Sequence, residues 1–221
     1  MDAKGNLYGT TIYGGAYGES DGGWGHGTVF ELSPPVTAGD KWTETVLHSF
    51  GASETDGTNP YAGLMMDASG NLYGSTYWGG AYTSCTGEGG GTAFELSPPT
   101  TVGGKWTETV LHSFGATCND GVWPYAGLIM DAKGNLYGTT WAGGGQYYGD
   151  GTAFELSPPT KKDGPWTETL LHEFGATSTS PWELQGGLIM DAKGNLYGTT
   201  DLGGGEGCEK NGCGAAFELS P

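Results

Sequence analysis

The chain contains no arginine. Eight lysines stand against 25 acidic residues, for a formal net charge of −17 over 221 residues. Nucleic-acid binding needs a cationic surface that neutralises phosphate, so that class is excluded. No apolar run approaches the roughly 18 residues of a membrane span. No secretory leader is present, and Met1 aligns with a methionine that recurs later, so the chain begins inside a repeat. A sustained 3.6-residue apolar period is missing, so almost no helix is expected. Also missing are the nucleophile elbow, the HExxH pair, the phosphate loop and the dinucleotide fingerprint. The acidic balance suits a soluble surface or divalent cations.

What the chain has in quantity is glycine, with 45 residues, and repetition. The segment Met1–Thr11 returns at Met66–Thr76, Met130–Thr140 and Met190–Thr200, at intervals of 65, 64 and 60 residues. Gly27–Pro35 recurs at Gly91–Pro99, Gly151–Pro159 and Gly214–Pro221, and Trp42–Phe50 at Trp106–Phe114 and Trp166–Phe174. Repeats of this length are supersecondary units that share one core. Each reads as four strands, for which the third copy gives A (Gly127–Asp131), B (Asn135–Thr140), C (Thr152–Ser157) and D (Trp166–Phe174). They are rich in β-branched and aromatic residues and are bounded by Gly, Pro, Asn and Asp. Asp-Ala-Lys-Gly-Asn between A and B is a turn, with Gly supplying the positive φ.

Four antiparallel strands repeated around an axis make a β-propeller, and a β-solenoid is the alternative. The expected fold is all-β, a single propeller domain or partial propeller over residues 1–221, with repeats starting at 1, 66, 130 and 190. In a meander the A–B turns and C–D linkers share one face, and the B–C and D–A loops share the other. The first face is uniform and the second variable, so a binding site is expected on the second. The inventory is three and a half repeats. Either a strained ring closes within the chain, or copies associate and cover the open edges. Self-association is the expectation.

The pattern Gly-Leu-Ile-Met-Asp-Ala-x-Gly-Asn-Leu-Tyr-Gly-Thr-Thr, followed by Gly-Thr-x-Phe-Glu-Leu-Ser-Pro, resembles the Gloeobacter/Verrucomicrobia (GloVer) repeat over essentially the whole chain. That resemblance implies an extracytoplasmic setting, extracellular or at the cell surface, and no common activity. The Asp-x-x-Gly-Asn-Leu-Tyr segment is also similar to the inner hairpin of NHL-type and gluconolactonase-type propellers.

Residues present in every repeat read as structural, and residues that break it as candidates for a site. Cys208 and Cys213 enclose four residues and are expected to form a disulfide. Cys85 and Cys118 lie in loops of one face and form a second expected bridge, which suits an oxidising compartment. His48, His112 and His172 occupy one place in strand D and read as packing or hydrogen bonding. His26 does not repeat and is the one histidine candidate for a catalytic base. The recurring glutamates of strands C and D read as structural or solubilising.

The ligand-binding candidates are aromatics set among glycines on the variable face: Tyr13, Trp24, Tyr77, Trp78, Tyr82, Trp123, Trp141, Tyr147 and Trp182. Flat rings there stack on sugars or anchor a partner surface. They also serve as plugs between loops, and the sequence leaves both roles open. Trp78 and Trp141 follow strand B and are expected at matching places. Asp56, Asp120 and Asp150 are candidate calcium ligands through oxygen. The expected function is binding of a carbohydrate or protein partner. A calcium-dependent propeller hydrolase for lactones or esters and a purely structural surface repeat are the alternatives.

Overall fold

The computed structural model describes residues 1–18, 23–83, 85–101, 103–117, 119–144, 150–161, 164–175, 183–204 and 212–220. Its described residues contain strands and turns and no helix. Four main antiparallel sheets follow one another along the chain. The first is β1 (Leu7–Thr11), β2 (Thr28–Ser33) and β3 (Thr43–Ser49). Then β4 (Gly57–Thr58) leads to the second sheet, β5 (Met65–Met66), β6 (Leu72–Thr76), β8 (Thr92–Ser97) and β9 (Thr107–Ser113), with β7 (Trp78–Gly79) inserted after β6. The third is β10 (Ile129–Met130), β11 (Leu136–Thr140), β12 (Thr152–Ser157) and β13 (Thr167–Glu173). The fourth is β14 (Ile189–Met190), β15 (Leu196–Thr200) and β16 (Ala215–Leu219). Strands within each main sheet pair in chain order, as the A–B–C–D reading expects.

Strand A is shorter than expected, two residues in place of five, with Gly127, Leu128 and Asp131 outside it and the Asp131 N–H donating to Asn135 O at 3.0 Å where the turn begins. Asp131 Oδ1 accepts the N–H groups of Lys133 and Asn135, and Oδ2 accepts Asn135 Nδ2 and the Tyr137 hydroxyl. Asp2, Asp67 and Asp191 make the same set. One carboxylate therefore ties a five-residue turn and the tyrosine of strand B, which explains the spacing of the motif.

The glycine of strand B is a packing residue. Gly74 pairs with Phe94, and Gly138 with Phe154. A Cβ at these glycines would meet the phenylalanine rings at 2.7 and 2.6 Å. The missing side chain makes room for the ring, and Phe94 and Phe154 are fully buried. Each then packs on a phenylalanine at the end of the preceding strand D: Phe50 on Phe94 at 5.1 Å and Phe114 on Phe154 at 4.9 Å between centroids. Neighbouring sheets thus share an apolar core, built further from Leu72, Leu96, Leu136 and Leu156.

Strand D carries a bulge. Val29 pairs with His48 and Phe30 with Val46, so Leu47 is an extra residue; the same shift recurs in the next two sheets. Regular alternation would put residues four apart on one face. The extra residue reverses that relation and re-aims the histidine.

Repeats are joined by a clip. Asn59, Trp123 and Glu183 hold the left-handed conformation at equivalent places, with φ of 57°, 62° and 57°. Their N–H groups donate to the carbonyls of His26, Gly90 and Asp150, and their own carbonyls accept from Tyr77, Trp141 and Asp201. Each D–A loop is therefore pinned between its own B–C loop and the next strand B.

Candidate functional site

The clip at Asn59 positions a cleft of about 460 Å³ on the variable face, whose lining includes His26, Glu54, Asp56, Asn59, Trp78 and Glu88. Trp78 is fixed by the short ladder of β4 with β7, where it pairs with Thr58 of the preceding repeat. Three residues proposed from sequence for different roles, His26, Asp56 and Trp78, so line one cleft.

Beside it runs a belt of rings across two junctions. Tyr77 stacks on Trp123 at 5.8 Å and meets Trp78 edge-on at 5.2 Å, and Trp123 approaches Trp141 at 5.7 Å. Tyr61 and Tyr125 stack at 4.9 Å, and both meet Tyr77 edge-on. Tyr61 and Tyr125 were not singled out from sequence, although Pro-Tyr recurs at 60–61 and 124–125. All six rings are half-buried. Trp78 and Trp141 are not equivalent, which corrects the expected match. Trp141 takes the place of Tyr77, each donating its N–H to the clip residue, while Ala142 takes the place of Trp78. Elsewhere on this face Tyr13 and Trp24 form an exposed pair at 5.8 Å, with 50% and 79% of their surface free, and Tyr82 is exposed. Tyr147 and Trp182 lie outside the described residues.

A second constellation lies between sheets. His48 Nε2 is 3.3 Å from Glu108 Oε2 and 4.0 Å from Asp56 Oδ2. One repeat on, His112 Nε2 is 3.5 Å from Glu168 Oε2 and 3.9 Å from Asp120 Oδ2. Glu108 thus faces the preceding repeat and His112, four residues later in the same strand, the following one. The bulge at Leu111 makes this possible. Glu108 and Glu168 are not solubilising groups on an outer edge, as their repetition suggested; their side chains are only 13% and 19% exposed. Burial raises the Glu108 carboxyl to about 8, with the charge of Asp56 and a hydrogen bond to it adding to the effect. Burial raises Glu168 to about 7; His112 opposes this and Asp120 reinforces it. Burial lowers His48, against the pull of Asp56. Such shifts mark groups held out of water beside a specific partner. A signal for these sets was present: an aspartate follows the strand D histidine by eight residues at 48/56 and 112/120, while Ser180 holds that place in the third copy. Asp150 joins neither set.

Among the described residues no cysteine is a free thiol, Cys85 and Cys213 included. Cys118 and Cys208 lie outside the described residues, and so does the expected pairing.

The sequence profile of the Gloeobacter/Verrucomicrobia repeat matches residues 1–221. The chain belongs to this repeat family. Comparison of this GloVer chain with curated proteins and with solved structures found no match. In this GloVer protein the family pattern coincides with the turn aspartates, the strand B glycines and the strand C phenylalanines. The cleft, the ring belt and the two Asp–Glu–His sets draw largely on residues beside or between those motifs.

Proposed function

We propose that this chain is an extracellular β-propeller, or part of one, that binds a partner through its variable-loop face, and that a carbohydrate is the partner class the cleft suits best. The supporting observation is the placement of Trp78 in an open cleft with Asn59, Glu54, Glu88 and His26. A ring face stacks on the C–H face of a sugar, and amide and carboxylate groups accept and donate to its hydroxyls. A protein surface anchored on the exposed Tyr13–Trp24 pair is the other partner class. Association of copies that covers the outer strands of the sheets is part of this reading. Cys208–Cys213 and Cys85–Cys118 are proposed disulfides.

A glycan array on the wild-type protein, followed by titration of the strongest ligand, tests the reading. Trp78→Ala should weaken that ligand by about 1–3 kcal/mol, the usual cost of a stacked ring, with unchanged melting. Trp141→Ala, whose ring packs on Trp123 at the clip, should lower the melting temperature instead. A wild type that binds no glycan, with Trp78→Ala melting far below it, would show that the ring is packing. The calcium-dependent hydrolase reading draws on His26 standing among carboxylates in the same cleft. It requires turnover of a simple ester or lactone that disappears in His26→Ala.

A further inference from the structure

We propose that neighbouring repeats are cross-linked by a divalent transition-metal cation of the Zn²⁺ or Mn²⁺ class, held by His48, Asp56 and Glu108 at the first junction and by His112, Asp120 and Glu168 at the second. In each set one imidazole nitrogen and two carboxylate oxygens all lie within 4.8 Å of one another. The histidine–glutamate separations of 3.3 and 3.5 Å match two ligands each about 2.0–2.2 Å from a shared tetrahedral metal, and the aspartates stand somewhat farther from the histidines, at 4.0 and 3.9 Å.

The buried atoms point the same way. The side chains of Asp56 and Asp120 are 5% and 9% exposed, and Oδ1 of each is buried without a hydrogen-bond partner. His48 Nε2, His112 Nε2, Glu108 Oε1 and Glu168 Oε1 are likewise buried and unpartnered. Buried polar atoms in native proteins are nearly always satisfied. Six such atoms converging in two equivalent places have one common explanation, a shared ligand. Two carboxylates side by side also lack a fixed positive charge: among the described residues only these histidines come within ion-pair distance of them. A dication supplies that charge.

The aspartates are held as metal ligands usually are. Asp56 Oδ2 accepts Ala52 N–H at 2.8 Å, and Asp120 Oδ2 accepts Gly115 and Ala116 N–H at 3.0 Å each. These bonds orient the carboxylates, and Oδ2 is the atom of each that approaches the histidine. An imidazole nitrogen in the set favours a borderline cation over calcium, which takes oxygen ligands in larger number. A route in exists, since His48 lines a groove of about 470 Å³ on one side and Asp56 lines the binding cleft on the other. The cation acts as a tie between repeats, and at the first junction it shares Asp56 with the lining of the partner cleft proposed above.

The test is uptake of Zn²⁺ by the full chain after dialysis against EDTA, read by calorimetry and by metal analysis after desalting. Two ions per wild-type chain, one in Glu108→Gln and none in Glu108→Gln/Glu168→Gln are expected. Nitrogen-15 spectra of the four histidines give a readout that needs no variant: Zn²⁺ should shift His48 and His112 and leave His172 in place. Two ions retained by the double variant, no uptake by the wild type, or Zn²⁺ displaced by a tenfold excess of Ca²⁺ would each overturn the proposal. So would His48 and His112 signals that stay in place during the titration.

Discussion

The first two junctions between repeats differ from the third in chemistry while sharing its scaffold. All three have a left-handed clip residue and a phenylalanine pair, the last being Phe174 on Phe217 at 4.8 Å. The bond from strand B to the next repeat is kept as well: Thr10 Oγ1 to Ala62 O at 2.9 Å, Ser75 Oγ to Ala126 O at 3.1 Å, Thr139 Oγ1 to Gly186 O at 3.4 Å. The third junction is bordered by the three-stranded last sheet, with no strand D beside it among the described residues. Phe217 is half-buried where Phe94 and Phe154 are sealed, and His172 is exposed where His48 and His112 are not. Its sequence has Ser180 where the others have Asp56 and Asp120. The clip and the phenylalanine pair therefore occur both with and without a complete Asp–Glu–His set.

The largest expected effect tests that difference in packing. Phe94→Ala or Phe154→Ala should cost about 3–5 kcal/mol, as loss of a sealed aromatic does, and Phe217→Ala only about 1–2 kcal/mol for the smaller area it shields. Chemical denaturation of the three variants measures this, and equal losses would erase the contrast. A middle-sized effect is expected with pH in EDTA-treated protein. The folded carboxyls of Glu108 and Glu168 sit near 8 and 7, above the ordinary 4.5. As pH rises from about 4.5 toward 8 the unfolded chain loses protons that the folded chain keeps, so stability falls. Glu108→Gln/Glu168→Gln should flatten that slope in pH-resolved melts, and a slope of opposite sign would contradict it. The smallest effect lies at the clip. Glu183 pays for a left-handed backbone, while Asn59 is of a type that visits it readily. Glu183→Asn should stabilise by about 0.5–1 kcal/mol, on the scale of relieved backbone strain, and also removes a carboxylate beside Asp150 and Asp201. No gain in melting temperature would mean that the third clip is not strained.

Much of the fold was legible because it is local. The Asp-x-x-Gly-Asn turn, the strand B glycine and the strand C phenylalanine act within one repeat, and the four copies align them. The edges of strand A were not legible, since Gly127, Leu128 and Asp131 continue its strand-like pattern and yet lie outside the ladder. The contact of His48 with Glu108 was hidden for a different reason. It joins residues 60 apart through the stacking of sheets, and a bulge inverts the alternation by which strand faces are read. Repetition itself misled, because residues present in every copy were taken as scaffold. Asp56 and Asp120 were singled out as candidate calcium ligands, without the histidine and glutamate they approach. Tyr77, Trp78, Trp123 and Trp141 of the ring belt were legible as candidates, while Tyr61, Tyr125 and the stacking among the rings were not.

The glycine–phenylalanine pair of strands B and C has a consequence for how such a chain grows. Both members lie about twenty residues apart inside one unit, so a tandem duplication copies the knob together with its socket. The histidine, aspartate and glutamate straddle the seam between units, so the same duplication delivers a new set only if both neighbours keep their share. Packing is inherited whole and chemistry by halves. A single substitution in one unit can therefore silence one seam without disturbing the inheritance of the fold.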